Sequence, residues 1–218
     1  MTTGAANQRT HPRRQPRADG ERTRAAILRT AASLATVDGL EGLSIGNLAA
    51  ATGISKSGLY AHFGSKQELQ LATVEEAERI LTAEVIQPAL AARPGLGQLA
   101  AVCEALFSYV QRRVFPGGCF FVATALEMGA RPGPVKARIA AIQSGFTALL
   151  RSFAATAVEQ HELAAHEDPE RLAFELYALL LSADTNYILH DDPAVLDLAR
   201  QIIHRRLGPN NPGNADHS

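Results

Sequence analysis

Tryptophan is absent from this sequence of 218 residues, and cysteine and methionine occur only twice each. The two cysteines, Cys103 and Cys119, are too few for a disulfide framework, and both lie among apolar residues. No apolar segment follows Met1, so a secretion signal is not expected. The densest apolar stretch, LYALLLSA at 176–183, is too short to span a bilayer. These absences predict a soluble, cytoplasmic protein.

Strand patterns are also scarce. Long stretches rich in alanine and leucine lack the alternation of β-branched and aromatic residues that strands need. Hydrophobic residues make up 46% of the chain, which is enough for a substantial core. We therefore predict an all-α fold of about nine helices. A disordered basic arm at 1–18 and a disordered polar tail at 208–218 are expected to flank them.

The net charge of −1 conceals an uneven distribution of charged residues. Residues 1–66 contain nine basic and four acidic side chains, whereas residues 67–218 contain twelve basic and eighteen acidic ones. A basic first third suggests that this part of the chain meets a polyanion. The charge alone leaves a second interpretation open, in which the excess belongs to the arm only. Four arginines cluster there: Arg9, Arg13, Arg14 and Arg17.

Three short helices are predicted in this basic third, at about 21–38, 45–51 and 56–62. Gly53 fits a tight turn between the second and the third. Two short helices joined by such a turn are the layout of a helix-turn-helix, whose second helix enters the major groove of DNA. The pattern therefore predicts a DNA-binding domain at 19–66.

The third helix, within GISKSGLYAHF, has an apolar side and a polar side. Leu59 and Phe63 are expected to anchor it, because a helix of two turns is not stable alone. Lys56 and Ser57 at its N-terminal end would then reach base edges. Gly58 would let the backbone approach a base or a phosphate, and the remaining polar groups suit phosphate oxygens. The alternative is that the aromatic members of this set are ordinary surface residues. The predicted DNA-binding residues are Ser44, Lys56, Ser57, Gly58, Tyr60, His62 and Lys66.

A fourth helix is predicted to follow directly. Ser65 is a suitable N-cap, and Glu68 has the spacing of a capping box, in which its side chain returns to the Ser65 amide. This helix is expected to run to about Ile86, because Pro88 should stop it. It would link the DNA-binding domain to the rest of the chain.

The stretch LSIGNLAAATGISKSGLYAHFGSKQEL at 43–69 resembles the DNA-binding head of the TetR family, the tetracycline-repressor-like transcriptional regulators. The similarity extends back through residues 22–44. Asn47 and Gln67 are mild departures from the family pattern. The resemblance implies a repressor that binds a palindromic operator in double-stranded DNA and is released by a small-molecule effector.

The resemblance further implies that residues 67–207 form a helical domain that binds the ligand and makes a homodimer. The helix from Pro169 has one apolar stripe at Leu172 and Leu176 and a second at Ala173, Tyr177, Leu181 and Ile188. Two such faces need two partners, so this helix and the last one are expected to pair with their copies in a second subunit. Burial of both faces within one subunit is the alternative.

The effector pocket is only weakly encoded, since apolar walls with a few polar groups describe both a pocket and an ordinary helical core. The segment CFFVATALEM at 119–128 is apolar nearly all round and should form a buried helix. It supplies half of the candidates, and the facing helices supply the rest. The predicted pocket residues are Phe107, Phe121, Thr124, Glu127, Met128, Phe146, Tyr177 and Asp184.

Catalytic signatures are missing. The segment HELAAHE at 161–167 is similar to a zinc-protease motif, but its two histidines are five residues apart rather than four. Cys119 has no cation nearby in sequence to stabilise a thiolate, which favours a structural thiol over a redox sensor. We therefore expect no catalytic residue, no metal and no cofactor. Two alternatives stay open: a helical enzyme or carrier with an incidental N-terminal trio, and a regulator controlled by a protein partner.

Overall fold

The computed structural model describes residues 16–208, with side chains from Gly20 onward, and this range contains helices and no strands. A π-helical turn at Thr82–Ile86 joins α4 to α5 in one continuous helix, so the described residues form nine helical rods, the number predicted. The helices are α1 Pro16–Asp38, α2 Ile45–Thr52, α3 Lys56–Phe63, α4 Lys66–Leu81, α5 Gln87–Leu90, α6 Leu96–Gln111, α7 Phe120–Gly129, α8 Pro134–Glu159, α9 Pro169–His190 and α10 Ala194–Leu207.

The expected disordered segments lie mostly outside the described residues. At the N-terminus, residues 16–18 already belong to α1, so the helix begins about five residues earlier than the sequence pattern indicates. At the other end, Gly208 follows the last residue of α10. None of the helices within 16–208 is long and apolar enough to cross a membrane.

Serine side chains cap the N-terminal ends of α2, α3 and α4, and the cap at Ser65 was predicted. The Ser55 side chain accepts a hydrogen bond from the Gly58 amide at 3.2 Å, and the Ser65 side chain accepts one from the Glu68 amide at 3.1 Å. The prediction that the Glu68 side chain accepts a bond from the Ser65 amide is wrong, because that amide donates to the Phe63 carbonyl at 2.6 Å instead. The full capping box is formed at Ser44, which makes reciprocal bonds with Asn47.

The predicted stop at Pro88 is also wrong, since the helix continues to Leu90. The π-helical turn at Thr82–Ile86 shifts the hydrogen-bond register before the proline is reached. Pro88 then lies in the first turn of α5, where a missing N–H group is tolerated.

The chain forms two regions, a head and a body, which are in contact through α1. Helices α1–α3 form the N-terminal head, and α4–α10 form the body, in which α8 packs against α4, α7 and α9, and α9 packs against α10. Helix α1 contacts both α4 and α7, so the head rests on two helices of the body. Ala31, Ala32 and Ala35 are buried on α1, and these small side chains let the neighbouring helices approach closely.

The second apolar face of α9 differs from the prediction. Ala173 is buried, and Tyr177 and Ile188 are half-buried against the core of the same subunit. Leu181, the remaining predicted residue, is exposed, but it shares its exposed apolar stripe with Phe174, Ala178 and Leu189. These residues recur at intervals of three, four or eight, which places them on one side of a helix. The predicted face was therefore misplaced by a fraction of a turn.

Candidate nucleic-acid interface and ligand cavity

Helix α3 is held to the head by two buried side chains. Leu59 is fully buried, and Phe63 is 3% exposed with the Arg24 guanidinium 5.2 Å from its ring centroid. The remaining side of the helix faces outward, and Tyr60 is 56% exposed although it is a large aromatic residue. The predicted DNA-binding side chains are on this exposed side or at the neighbouring helix ends: Ser44, Lys56, Ser57, Tyr60, His62 and Lys66.

Contacts within the protein explain why position 58 is a glycine. A Cβ atom at this position would lie 3.2 Å from Ser55 Oγ and 3.3 Å from Ile54 Cγ2. The turn between α2 and α3 therefore leaves little space for a larger residue. The prediction placed Gly58 correctly on α3, but the close backbone approach that favours glycine is already present without DNA.

Lys66 is not free in this structure. Its ammonium group donates to the Glu41 carbonyl oxygen at 2.6 Å and to the Glu41 carboxylate at 2.7 Å. The bond from Lys66, together with a weaker one from Gln70, holds the pKa of Glu41 below its usual value. Arg131, in the body, lies 3.8 Å from the same carboxylate. The sequence prediction missed Glu41, which is 25 residues away from its lysine.

Glu127, predicted as a pocket residue, points to the head instead. Its two carboxylate oxygens accept hydrogen bonds from the backbone amides of Leu40 and Glu41, each at 2.7 Å. The carboxylate also passes within 2.9 Å of where a Cβ atom of Gly39 would be, and Gly39 has a φ of +81°. A short turn with a left-handed glycine thus exposes two amides to one carboxylate from α7.

A second contact ties the start of α7 to the head. The Gly117 amide donates to Thr36 Oγ1 at 3.2 Å, and a Cβ atom at Gly117 would lie 2.0 Å from the Thr36 carbonyl oxygen. Only glycine fits at this approach. The loop before α7 and the last turn of α7 therefore both contact the C-terminal end of α1 or the residues that follow it.

The cavity in the body is lined almost entirely by apolar side chains. Three predicted pocket residues line it, Phe121, Phe146 and Tyr177, and the rings of Phe146 and Tyr177 are 6.3 Å apart. Gln143 is a polar group on its wall, and its amide donates to the Phe121 carbonyl at 3.3 Å. The other residues around it are Leu81, Leu106, Cys119, Val122, Ile142, Leu180 and Leu181.

Five predicted pocket residues do not line this cavity, and each has another environment. Besides Glu127, Thr124 donates to the Phe120 carbonyl at 2.8 Å within its own helix, and Asp184 accepts from the Cys119 amide at 3.0 Å. Phe107 lies under the Arg200 guanidinium, 5.2 Å from the ring centroid. Met128 is a buried core residue. Helix α7 is also less buried than expected, because Leu126 on it is 89% exposed.

The cavity is small in this state. Its volume is about 30 Å³, whereas one water molecule needs roughly 10–15 Å³ by the same measure. It therefore has space for about two waters. An organic ligand would have to move the surrounding helices apart before it could enter.

Two buried groups beside the cavity have shifted pKa values. Burial raises the pKa of Asp184 to about 6, although the bond from the Cys119 amide opposes the shift. Burial also raises the pKa of the Cys119 thiol to about 12. A thiol with this pKa stays protonated at neutral pH, which agrees with a structural role for Cys119.

The HELAAHE segment lies in the connection between α8 and α9 rather than on a helix. Glu162 accepts a hydrogen bond from the Leu96 amide at 2.7 Å, at the start of α6, and pairs with Arg93. Glu167 pairs with Arg206 at 2.8 Å. The acidic residues of the segment therefore join neighbouring elements. Within the described part of the chain, no group of three or more metal-binding side chains is found.

Comparison with known proteins decides the family. Residues 27–73 match the family described as bacterial regulatory proteins of the tetR family, and residues 95–203 match the tetracyclin repressor-like C-terminal domain. The chain belongs to the TetR family. It is a DNA-binding transcriptional regulator, and members of this family are regulators rather than enzymes. The comparison with curated proteins gave no match.

Solved structures share the TetR fold over most of their length. A TetR regulator from Chloroflexus aurantiacus J-10-FL is 25% identical, with a TM-score of 0.80 over 87% of this chain and 96% of that one. SCO4454 from Streptomyces coelicolor is 21% identical, with a TM-score of 0.73 over 87% and 97%. AibR, in complex with isovaleryl coenzyme A and operator DNA, is 24% identical, with a TM-score of 0.66 over 83% and 96%.

Proposed function

We propose that this TetR-family regulator is a homodimeric repressor that binds a palindromic operator and is released by a small, largely apolar effector. The observation that carries the DNA-binding part is the orientation of α3. Leu59 and Phe63 face the head, and the opposite side with Lys56 and Tyr60 is open to solvent. A helix in this arrangement can enter the major groove without rearranging the head.

The roles of the exposed side chains follow from their positions on α3. Lys56 and Ser57 lie at its N-terminal end, where side chains reach base edges. Tyr60 and His62 lie further along and suit phosphate oxygens, which fix the register of the head on the duplex. Ser44, at the N-terminus of α2, would hold another phosphate with the amides of that helix end. Lys66 would contact a phosphate in competition with its bonds to Glu41.

The dimer is proposed to form through α9 and α10. Phe174 and Leu189 on α9 are 70% and 72% exposed, and Leu198 on α10 is 56% exposed. Leu181 and Ile202 continue this surface, which we name the apolar stripe of α9 and α10. Several large apolar side chains exposed on two neighbouring helices are typical of a protein interface. To read a palindrome, the two heads of such a dimer must lie about 34–36 Å apart.

The effector is proposed to enter the cavity between α4, α6, α7, α8 and α9. Among the lining residues, Gln143 and Tyr177 carry hydrogen-bonding groups that would fix the orientation of a ligand. The AibR structure holds both isovaleryl coenzyme A and operator DNA, so the fold accommodates both kinds of partner. Ligand entry would widen the cavity, move the helices against which the head rests, and shift the two heads out of register with the grooves.

A second candidate is regulation by a protein partner instead of a small molecule. The cavity volume of about 30 Å³ favours it, because a tightly packed body needs no ligand to be complete. The exposed Leu126 on α7 provides an apolar contact close to the head. The two candidates predict different responses to the same set of small molecules.

A titration of DNA binding tests the proposal. Genomic fragments bound by the protein would be selected, and their affinity measured by fluorescence anisotropy with and without a library of apolar effectors. We expect one class of compound to weaken binding by about 5–150-fold, the range of typical allosteric coupling. Failure of wild-type protein to bind any duplex would refute the DNA-binding role. Binding that no compound alters would refute the small-molecule switch and favour a protein partner.

A further inference from the structure

We infer that Glu41 competes with DNA phosphates for Lys66, and that Glu127 on α7 holds Glu41 in the position from which it competes. The inference rests on the proposed function, since it assumes that Lys66 contacts the duplex. It assigns a regulatory role to two acidic residues that the sequence prediction either missed or placed in the ligand pocket.

The pair between Glu41 and Lys66 is well formed but accessible. The ammonium group contacts both the carbonyl oxygen and the carboxylate of Glu41, at 2.6 and 2.7 Å. The Lys66 side chain is 47% exposed and that of Glu41 is 41% exposed. A phosphate group can therefore approach the ammonium from solvent without any movement of the backbone. Because the pair is exposed, it is weak enough for a phosphate to displace it.

Glu41 is held by several groups and does not depend on Lys66 for its position. Its amide and that of Leu40 donate to the Glu127 carboxylate. The buried Gln70 side chain donates to the Leu40 carbonyl at 2.9 Å and to the Glu41 carboxylate at 3.4 Å. Since these bonds fix the backbone from α4 and α7, Lys66 meets a carboxylate that is already in place.

A carboxylate and a phosphate are rival anions for one ammonium group. When Lys66 turns to a phosphate, Glu41 loses its closest cation and is left near the negative charge of the duplex. Arg131, at 3.8 Å, compensates only in part. DNA binding that draws Lys66 away from Glu41 therefore costs the internal pair, and this lowers the apparent affinity.

Helix α7 connects this competition to the ligand cavity. Phe121 and Val122 line the cavity, and Glu127 lies five or six residues further along the same helix. At 1.5 Å per residue the separation is roughly 9 Å, within one short rigid element. Widening of the cavity would displace α7 and with it the carboxylate that positions Glu41. The strength of the Glu41–Lys66 pair would then depend on whether the cavity is occupied.

The experiment is a double-mutant cycle on DNA affinity. Glu41→Gln, Lys66→Gln and the double variant would be compared by fluorescence anisotropy on selected duplex DNA at several salt concentrations. Glu68→Gln is the matched control, because it removes one exposed acidic charge from the first turn of α4. Thermal unfolding of each variant would verify that it folds.

We expect Glu41→Gln to tighten binding about two- to fivefold more than Glu68→Gln does. In the Lys66→Gln background this extra gain should disappear. A plot of the logarithm of the binding constant against the logarithm of salt concentration has a slope that reflects the number of phosphate contacts. Lys66→Gln alone should reduce the magnitude of this slope by about one, as expected for one lost phosphate contact. Glu127→Gln weakens the hydrogen bonds that fix the backbone of Leu40 and Glu41. This variant should give a smaller increase in DNA affinity, which should also disappear in the Lys66→Gln background.

The outcomes separate the inference from the proposed function. Wild-type binding with equal effects of Glu41→Gln and Glu68→Gln would overturn the competition and leave the DNA-binding role intact. An extra gain that persists without Lys66 would show general charge repulsion by Glu41, which also overturns the inference. Absence of DNA binding by both wild type and Glu41→Gln would overturn the inference and the proposed function together.

Discussion

The head and the body of this protein place their candidate sites in opposite environments. In the head, polar side chains such as Lys56 and Tyr60 project from α3 into solvent, and two buried residues hold the helix. In the body, the candidate site is a small apolar cavity of about 30 Å³. The proposed reading surface of the head is thus already exposed, whereas the body would have to open to admit the proposed effector. An exposed surface in one region and a small internal cavity in the other suit the proposed regulator, whose ligand would act at a distance.

The largest effect is expected at the surface that is proposed to join two such bodies in a dimer. Phe174→Ser removes the largest exposed side chain of the apolar stripe of α9 and α10. Burial of this ring in both subunits would contribute about 3–5 kcal/mol to dimerisation. We expect sedimentation to show a shift toward monomer and DNA affinity to fall with it. Val37→Ser, at a residue 64% exposed on α1, is the control. An unchanged dimer would place the interface elsewhere.

The next prediction tests whether the head depends on its anchors. Leu59→Ala, at a fully buried residue, should destabilise the head by about 2–5 kcal/mol. DNA binding should be lost while most of the helical circular dichroism of the body is kept. Leu126→Ala, at a residue 89% exposed, should change the free energy of unfolding by less than about 0.5 kcal/mol. Equal effects of the two variants would mean that α3 is not anchored as described.

The pH dependence of folding stability tests whether Asp184 is buried in the core of the body. Its pKa is raised by burial from 3.8 to about 6, so the folded state binds the proton more tightly than the unfolded state does. The stability that this group contributes is present below pH 4 and is lost as the pH rises through about 6.

Asp184→Asn stays neutral at every pH and can still accept the Cys119 amide. Relative to wild type, the variant should therefore gain stability between pH 4 and pH 8, on the order of 2 kcal/mol. Urea unfolding at both pH values measures the difference. A difference between the two proteins that does not change with pH would show that Asp184 is not buried in this way.

The smallest effect is expected for a single phosphate contact of the head. Tyr60→Phe removes one hydroxyl and keeps the ring, so it should weaken binding by about 1 kcal/mol for all DNA sequences alike. Binding to specific and unrelated duplexes under the same salt conditions provides the measurement. Loss of affinity for one sequence only would indicate that Tyr60 reads a base rather than a phosphate.

The sequence predicts the head better than the body for a physical reason. Serine caps, glycine turns and the spacing of Leu59 and Phe63 act over a few residues, so they can be recognised along the chain. They located α2 and α3 to within a residue at each end. Gly58 was placed correctly, although the crowding by Ile54 and Ser55 is visible only in the structure.

The body depends on contacts between distant parts of the chain. The Glu127 carboxylate accepts hydrogen bonds from two backbone amides that are 86 and 87 residues away in sequence. The Asp184 carboxylate accepts one from the Cys119 amide, 65 residues away. No local pattern distinguishes these carboxylates from the lining of a pocket, and both were assigned to it. The stripe at Phe174 was missed because α9 is apolar on several sides, so that small rotations of the helix give equally regular faces.

The most direct test of the central claim concerns Lys56, at the N-terminal end of the exposed side of α3. Binding-site selection followed by sequencing would compare wild type with Lys56→Ala. If α3 reads the major groove, the variant should lose discrimination at one position in each half-site, by about 1–3 kcal/mol, and keep the rest of its sequence preference. An unchanged preference at every position would contradict the claim that this side of α3 reads DNA.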